Sequence, residues 1–403
     1  MILYLSAVAA PSLYLERLAE DSLAGGYQVQ RFNCSIVRGL AELGEITALS
    51  ALPYKKGVAA QRSERVEVGA RFIAIENTAG ALHKPLNVLR LVREGKRILA
   101  KSPRDGQDLI ICDAVSHAAS AAALRLSRRF GIPAVAIVTD LPEVMYDGRL
   151  NLFGRISASL MKKYSAYVLL TEAMNAIANP KGKPHTVMEG LCAPDSVEPR
   201  RPRGDGRRIA VYSGSLWRES AGIERLIEGF RLATLPDCEL HFYGTGDLVS
   251  DIERASAECP AIRYMGCLDN ESMARRLREC DLLINPRPSD AKFCLYSFPS
   301  KTMDYMASGV PVLMTRLPGV PEEYLSRVYL IEDESPSGMR DALLRVFSKD
   351  EAELSQFGEE ARRFVLTEKN YSAQTRRLSD FFERELGVRV SSARDGVNPP
   401  ERM

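Results

Sequence analysis

Short apolar runs, separated by helix-patterned stretches, constrain this chain more than any other feature. Residues 2–9, 46–52, 108–112, 134–138 and 167–170 are dense in Ile, Val, Leu and Ala, and 209–212, 239–243, 262–265, 281–285 and 310–314 repeat the pattern. A strand that is apolar on both faces belongs to a parallel sheet covered by helices on either side, whereas a sheet with one wet face would alternate apolar and polar residues. A further strand is expected over 71–76. Helical periodicity follows these runs at 36–43, 86–99, 116–130, 223–233, 272–279, 351–365 and 372–386. The alternation predicts an α/β protein built twice over.

The two halves are separated by a run of Pro, Gly, Asp and Arg between 194 and 208, the composition of an exposed linker. A chain of 403 residues is also too long for one typical core. We expect a first domain over 1–191, a linker over 192–208, a second domain over 209–370, a final helix over 371–390 and a frayed tail over 391–403. The formal net charge of +2 offers no electrostatic address for nucleic acid. The eight cysteines fall in no CxxC pair and beside no histidine cluster, which points away from zinc or a disulfide framework and toward buried thiols in a reducing cytosol. The apolar start lacks a basic segment and is too short to span a bilayer, so it reads as a first strand.

The stretch 293–313 carries the clearest chemistry. A strand ending at Asn285 leads through a Pro- and Ser-rich loop into a short helix that stops near Gly309. Ser297 and Ser300 are candidate N-caps and Pro299 suits a first helical turn, so backbone N–H groups and the positive end of the helix dipole face outward. Lys301 adds a full charge, and phosphate is the natural guest. Asp304, about 6 Å further along the axis, is placed to grip ribose hydroxyls. An ordinary capped helix would show the same residues.

Other candidates lie at strand ends, where open α/β sheets bind ligands. Gly25 and Gly26 precede a helix and allow close backbone approach. Asp140 follows the strand 134–138, with His117, Thr139 and Tyr146 near the same edge. Gly244 and Gly246 form a weak GxG after the strand 239–243. The helix over 86–99 presents Arg90, Arg93, Lys96 and Arg97 on one face, either solvated or turned toward an anionic surface.

The array of Tyr212, Gly214 and Leu216, then Gly222 to Phe230, Tyr243 to Gly246, Gly266, Asn285 to Arg287, Tyr296 to Gly309 and Pro318 to Glu322 resembles glycosyltransferase family 4, and more narrowly its bacterial members that build exopolysaccharide and other surface glycans. The Gly25–Gly26 loop, Thr139 to Pro142 and Leu170 to Met174 extend the resemblance into the first half. It implies the GT-B architecture, two Rossmann-like domains facing across a cleft with the last helix crossing back onto the first. It also implies transfer with retention from a nucleoside-diphosphate sugar, UDP more than GDP, without metal or other cofactor. The acceptor would be a glycan or lipid-linked sugar at the inner face of the plasma membrane, touched peripherally by the first domain.

Carried over by position, Gly25 and Gly26 match the loop that approaches the donor phosphates. Asp140 falls in the family's His-Asp pair, with Thr139 replacing the histidine. Gly214 matches the glycine of a Gly-Arg pair whose arginine is here Ser215, and the family's next lysine aligns with Ala221. Arg218, Lys301 and Arg287 are the cations left to meet the diphosphate. Two glutamates of the family correspond to Tyr296, at the sugar, and Asp304, at the ribose. Gly244, Leu268, Ser297, Phe298 and Ser300 complete the expected donor contacts, and Asp140, Lys301 and Arg218 the expected catalytic set. The missing cations leave open a second possibility, a catalytically silent nucleotide-binding or scaffold protein of a glycan-assembly complex.

Overall fold

A computed structural model describes residues 1–24, 27–78, 83–103, 106–145, 149–193, 198, 200, 206–218 and 222–390. The chain divides into two compact units, Met1–Leu191 together with the chain from Tyr371 onward, and Cys192–Asn370.

The first unit holds eight strands: β1 (Ile2–Ser6), β2 (Ile46–Ser50), β3 (Ser63–Glu67), β4 (Ala70–Ala74), β5 (Leu109–Asp113), β6 (Ala134–Val138), β7 (Ala166–Leu169) and β8 (His185–Val187). They lie in the order β3-β4-β2-β1-β5-β6-β7-β8, parallel throughout except for β3 against β4. β1, β2, β5 and β6 are buried along their whole length, as continuous apolar runs require. The edge strand β3 instead alternates half-buried and exposed residues. β1 is shorter than its apolar run because the Ser6 hydroxyl accepts the Val8 N–H at 3.0 Å and turns the chain, while Val8, Ala9 and Ala10 stay buried in the loop.

Helices α1 (Pro11–Ala19), α2 (Tyr27–Ala41), α3 (His83–Leu99), α4 (His117–Phe130), α5 (Pro142–Met145), α6 (Leu152–Met161) and α7 (Asn175–Ala178) cover this sheet. α4 has clean termini: Ser116 accepts the Ala119 N–H, and Gly131 ends the helix in the left-handed region at φ 69°.

The second unit has β9 (Arg208–Ser213), β10 (Cys238–Tyr243), β11 (Ile262–Tyr264), β12 (Leu282–Asn285), β13 (Val312–Thr315) and β14 (Tyr329–Ile331), all parallel in the order β11-β10-β9-β12-β13-β14. Its helices are α8 (Ile223–Ala233), α9 (Val249–Glu258), α10 (Asn270–Arg278), α11 (Ser300–Ala307), α12 (Glu322–Leu325), α13 (Pro336–Phe347) and α14 (Glu351–Glu368). α8 and α13 share one apolar cluster with Leu240, Phe242, Leu282 and Ile284. α11 and α14 share the other with Val211, Leu283, Val312 and Met314. Alternate residues of each strand thus feed opposite cores, the period of two expected of a sheet covered on both sides.

The last helix, α15 (Tyr371–Leu386), belongs to the first unit. Leu378, Phe381 and Phe382 join the cluster of Ile36, Val37 and Leu40 from α2, and Gln374 Nε2 donates to the Gly190 carbonyl at 3.1 Å. Five of the eight cysteines are buried. Among the described residues no helix is long and apolar enough to cross a membrane.

Gly39 of α2 is what lets α15 approach. A Cβ there would lie 2.5 Å from Thr375 Oγ1 and 2.7 Å from the Tyr371 carbonyl, and the backbone contact cannot be relieved by a rotamer. Gly39→Ala is therefore expected to cost about 1–3 kcal/mol despite its better helix propensity. Chemical denaturation of the variant, alone and combined with Thr375→Ala, measures this; the second change should recover only part of the loss.

Candidate functional site

β12 ends at Asn285, a 3-10 turn runs over Lys292–Tyr296, and α11 begins at Ser300. Its N-cap is Pro299, extended and without a side-chain cap, rather than Ser297 or Ser300. Ser297 closes the 3-10 turn, where its hydroxyl is buried with no hydrogen-bond partner among the described residues, and Ser300 is an exposed first helical residue. The expected serine cap is corrected for a plain reason: a proline at the cap has no side-chain acceptor to offer. The Thr302 N–H donates to the Pro299 carbonyl at 2.9 Å, and the Ser300 and Lys301 amides before it have neither an intrahelical acceptor nor a capping oxygen among the described residues.

Lys301 projects from this turn toward the end of β9. Its Nζ donates to Tyr212 Oη at 3.0 Å and lies 4.1 Å from the centre of the Tyr212 ring, and Tyr212 Oη donates onward to the Ser215 carbonyl at 2.6 Å. Neither Lys301 nor half-buried Arg287 has an ion-pair partner among the described residues. Burial, with Arg287 as the second cause, pulls the Lys301 ammonium down to about 7. The Tyr212 phenol is pushed up to about 12 by burial, with Arg287 acting in the opposite sense. Two cations without a carboxylate leave this crest short of negative charge. Tyr305, from the buried face of α11, ties the helix to the same loop: its hydroxyl accepts the Ser213 N–H at 2.8 Å and donates to the Ser213 carbonyl at 3.1 Å.

Two glycines make the loop possible. Gly214 is at φ 137°, and a Cβ on it would lie 2.7 Å from Lys301 Nζ. Gly244 is at φ 136°, and a Cβ on it would lie 1.8 Å from the Gly214 carbonyl. Gly244 therefore supports Gly214 by letting the loops after β9 and β10 touch.

The remaining candidates of this unit are dispersed. Ser215 is exposed and contributes its carbonyl to Tyr212. Arg218 pairs with Glu224 and with Asp251 at 2.5 Å, and its N–H meets Asp247 Oδ1 at 2.9 Å, so its charge is already met by carboxylates. Leu268 is exposed in the loop after β11. Tyr296 is half-buried at the end of the 3-10 turn, and Asp304 is half-buried one turn into α11. Phe298 points into the core, its ring centre 4.9 Å from that of Tyr324, so it anchors the loop.

In the first unit, Gly25, Gly26 and Tyr146 lie outside the described residues, as does Ala221 in the second. Asp140 is exposed just beyond β6; desolvation raises its carboxyl above the usual range, and a hydrogen bond from Thr139 lowers it in part. His117 opens α4 and its Nδ1 is 3.2 Å from Ser157 Oγ. The residue that sequence reasoning missed is Asp113, the last of β5. It is 5% exposed, accepts the Val115 N–H at 3.2 Å and an Asn33 amide hydrogen at 3.4 Å, and Asn33 in turn is met by the Tyr4 hydroxyl. Burial is the chief cause that pushes its carboxyl up to about 6, with nearby Asp140 adding to the rise. The only signal in the sequence was an acidic residue directly after an apolar strand.

Residues 207–349 match the family model described as glycosyl transferases group 1. Amylovoran biosynthesis glycosyltransferase AmsK of Erwinia amylovora is 28% identical over 183 residues, 44% of this chain and 45% of AmsK, so the match spans less than half of that relative. Among solved structures, sucrose-phosphate synthase from Thermosynechococcus elongatus superimposes with a TM-score of 0.63 at 14% identity, over 96% of this chain and 99% of that one. HepE of Anabaena in complex with UDP and glucose gives 0.60 at 12% identity, over 95% and 99%. These likenesses show the fold: two Rossmann-like α/β units of the GT-B kind.

The raised Asp113 carboxyl has a measurable consequence. An acid whose folded pKa lies above its unfolded value adds stability below the unfolded value, 3.8, and loses that contribution as pH rises through about 6. The ionised carboxylate thus weakens the first unit at pH 8. Asp113→Asn is expected to be more stable than the parent at pH 8 by about 2 kcal/mol, with the gain gone below pH ~4. Urea denaturation across this pH range checks it.

Proposed function

We propose that this chain is a retaining, metal-independent glycosyltransferase that moves a sugar from a nucleoside-diphosphate sugar, UDP more than GDP, to a glycan or lipid-linked acceptor in bacterial surface-polysaccharide synthesis. One observation carries the reading: at the uncapped start of α11, the Lys301 ammonium and Arg287 stand without a carboxylate among the described residues. A diphosphate supplies the negative charge that this crest lacks. The match to group 1 glycosyl transferases over the same unit, and the printed association of HepE with UDP and glucose, support it. AmsK, named for amylovoran biosynthesis, supports the acceptor class.

On this reading the bond from the anomeric carbon to the diphosphate oxygen breaks through an oxocarbenium-like transition state. The charge growing on the leaving diphosphate is met by Lys301 and the first-turn amides of α11. Asp304 binds the ribose hydroxyls, and the Tyr296 hydroxyl stands where a carboxylate would hold the sugar. Asp113 and Asp140, at the carboxyl ends of β5 and β6, serve the acceptor. In the first unit, α3 and α6 each pack on α4, and the three helices contain Arg90, Arg93, Lys96, Arg97, Arg125, Arg128, Arg129 and Arg155 against one acid of their own, Glu94, with Arg90 also paired to Glu76. Leu89 of α3 and Leu152 of α6 are exposed. Such a surface suits an anionic bilayer at the inner membrane face, where a lipid-linked acceptor would be presented.

A second reading, a nucleotide-binding scaffold without turnover, is favoured by the commitment of Arg218 to Glu224 and Asp251. Calorimetry with UDP and GDP beside a donor-hydrolysis assay separates the two; binding with neither hydrolysis nor transfer supports the scaffold. A thermal-shift screen over UDP-, GDP- and dTDP-sugars should identify the donor by mass action. With that donor, Lys301→Ala is expected to lower the transfer rate by roughly two to three orders of magnitude, the usual scale for one lost electrostatic stabiliser. Near-normal turnover in that variant removes Lys301 from the mechanism.

A further inference from the structure

Tyr212 has no part in the scheme above, yet it is the residue Lys301 touches. It is 2% exposed, wedged against Phe242 with ring centres 6.2 Å apart, and so is held in place. Its hydroxyl hydrogen is spent on the Ser215 carbonyl at 2.6 Å, which leaves only oxygen lone pairs for Lys301 at 3.0 Å. A lone pair and the negative face of an aromatic ring both favour an ammonium over a neutral amine. Gly214 leaves the space in which the ammonium lies. We propose that Tyr212 is a positioning residue for Lys301: its ring and hydroxyl hold the ammonium above Gly214, where the donor's diphosphate is read to lie. The inference rests on the donor-site reading of α11.

It has a consequence that a purely structural role for Tyr212 lacks. The groups around Lys301 are Tyr212 from β9, Arg287 from the loop after β12, Asp304 further along α11, and Tyr305, whose hydroxyl is occupied by Ser213. Burial and Arg287 work against the lysine's charge, bringing it to about 7, whereas the Tyr212 lone pair and ring face, in contact with the ammonium, favour it. An arriving diphosphate raises the lysine's proton affinity, so binding above that value draws a proton from solvent. Affinity then falls about tenfold per pH unit between the free and bound values. Removing the Tyr212 hydroxyl while keeping the ring makes the ammonium easier to deprotonate and moves this fall to lower pH.

The test is calorimetric titration of the full chain with UDP from pH 6.5 to 9, in two buffers of different ionisation enthalpy. For the parent chain the expected result is uptake of about one proton per UDP near pH 8, with the tenfold-per-unit fall in affinity. Lys301→Arg, which stays charged, should bind with nearly flat affinity over pH 7–9 and take up no proton. Tyr212→Phe should show the fall displaced by about one pH unit toward acid, the scale of one lost hydrogen bond. An unmoved fall in Tyr212→Phe, with affinity lowered by the same factor at every pH, overturns the positioning role. PH-independent binding without proton uptake in the parent overturns the coupling while leaving the donor site intact. No binding of UDP or GDP at any pH overturns the donor-site reading, and the inference with it.

Discussion

Parallel pairing of β9 with β12 is the constraint on which the second unit's chemistry depends. The strand order reverses there: β9, β10 and β11 run to one side and β12, β13 and β14 to the other, so the loops after β9 and β12 part and leave a crevice at the strand ends. Gly214 and Arg287 follow those two strands, and α11 drops Lys301 between them. Tyr305 then pins α11 to the Ser213 backbone with two hydrogen bonds. The first unit has the same reversal between β1 and β5, and Asp113 is the residue at the end of β5. A desolvated charge thus lies beside each sheet's switch point, Asp113 at the end of β5 and Lys301 on the helix that follows β12.

Both charges cost stability in the free protein. A half-buried lysine with an arginine nearby, and a buried carboxyl with a second carboxyl nearby, are held against desolvation and like-charge repulsion. Neither is relieved by an ion pair among the described residues, whereas many surface arginines are, Arg218 among them. Such groups are relieved by a ligand of opposite charge, or by proton uptake at the carboxyl and proton loss at the lysine, which is why strongly shifted residues cluster at functional sites.

Much of the fold was legible in the sequence. Strands buried on both faces read as continuous apolar runs, and ten of them were placed to within a few residues. Elements that lack that signature were not: β3 is a polar edge strand of alternating burial, β8 and β14 are three residues each, and α1 follows directly on an apolar loop. Helices α9 and α13 were hidden for another reason, since each begins next to residues that read as turns. The start of α11 and its Lys301 were legible because helix starts have local rules, while Gly214 was singled out only by the family resemblance. The role of Tyr212 was not legible, because its importance comes from a lysine 89 residues away.

By itself, then, the sequence determined the class of architecture and the position of a lysine-bearing helix start, since continuous apolar runs, turn glycines and a lysine in a first helical turn are local properties. Tertiary structure decided which charges are available. It neutralised Arg218 with Glu224 and Asp251, turned Phe298 into the core, made Pro299 the cap, and set Lys301 over Tyr212. The physical reason is that a side chain's charge and reach depend on desolvation and on neighbours brought close by parallel strand pairing, and neither is encoded within a few residues of the group concerned.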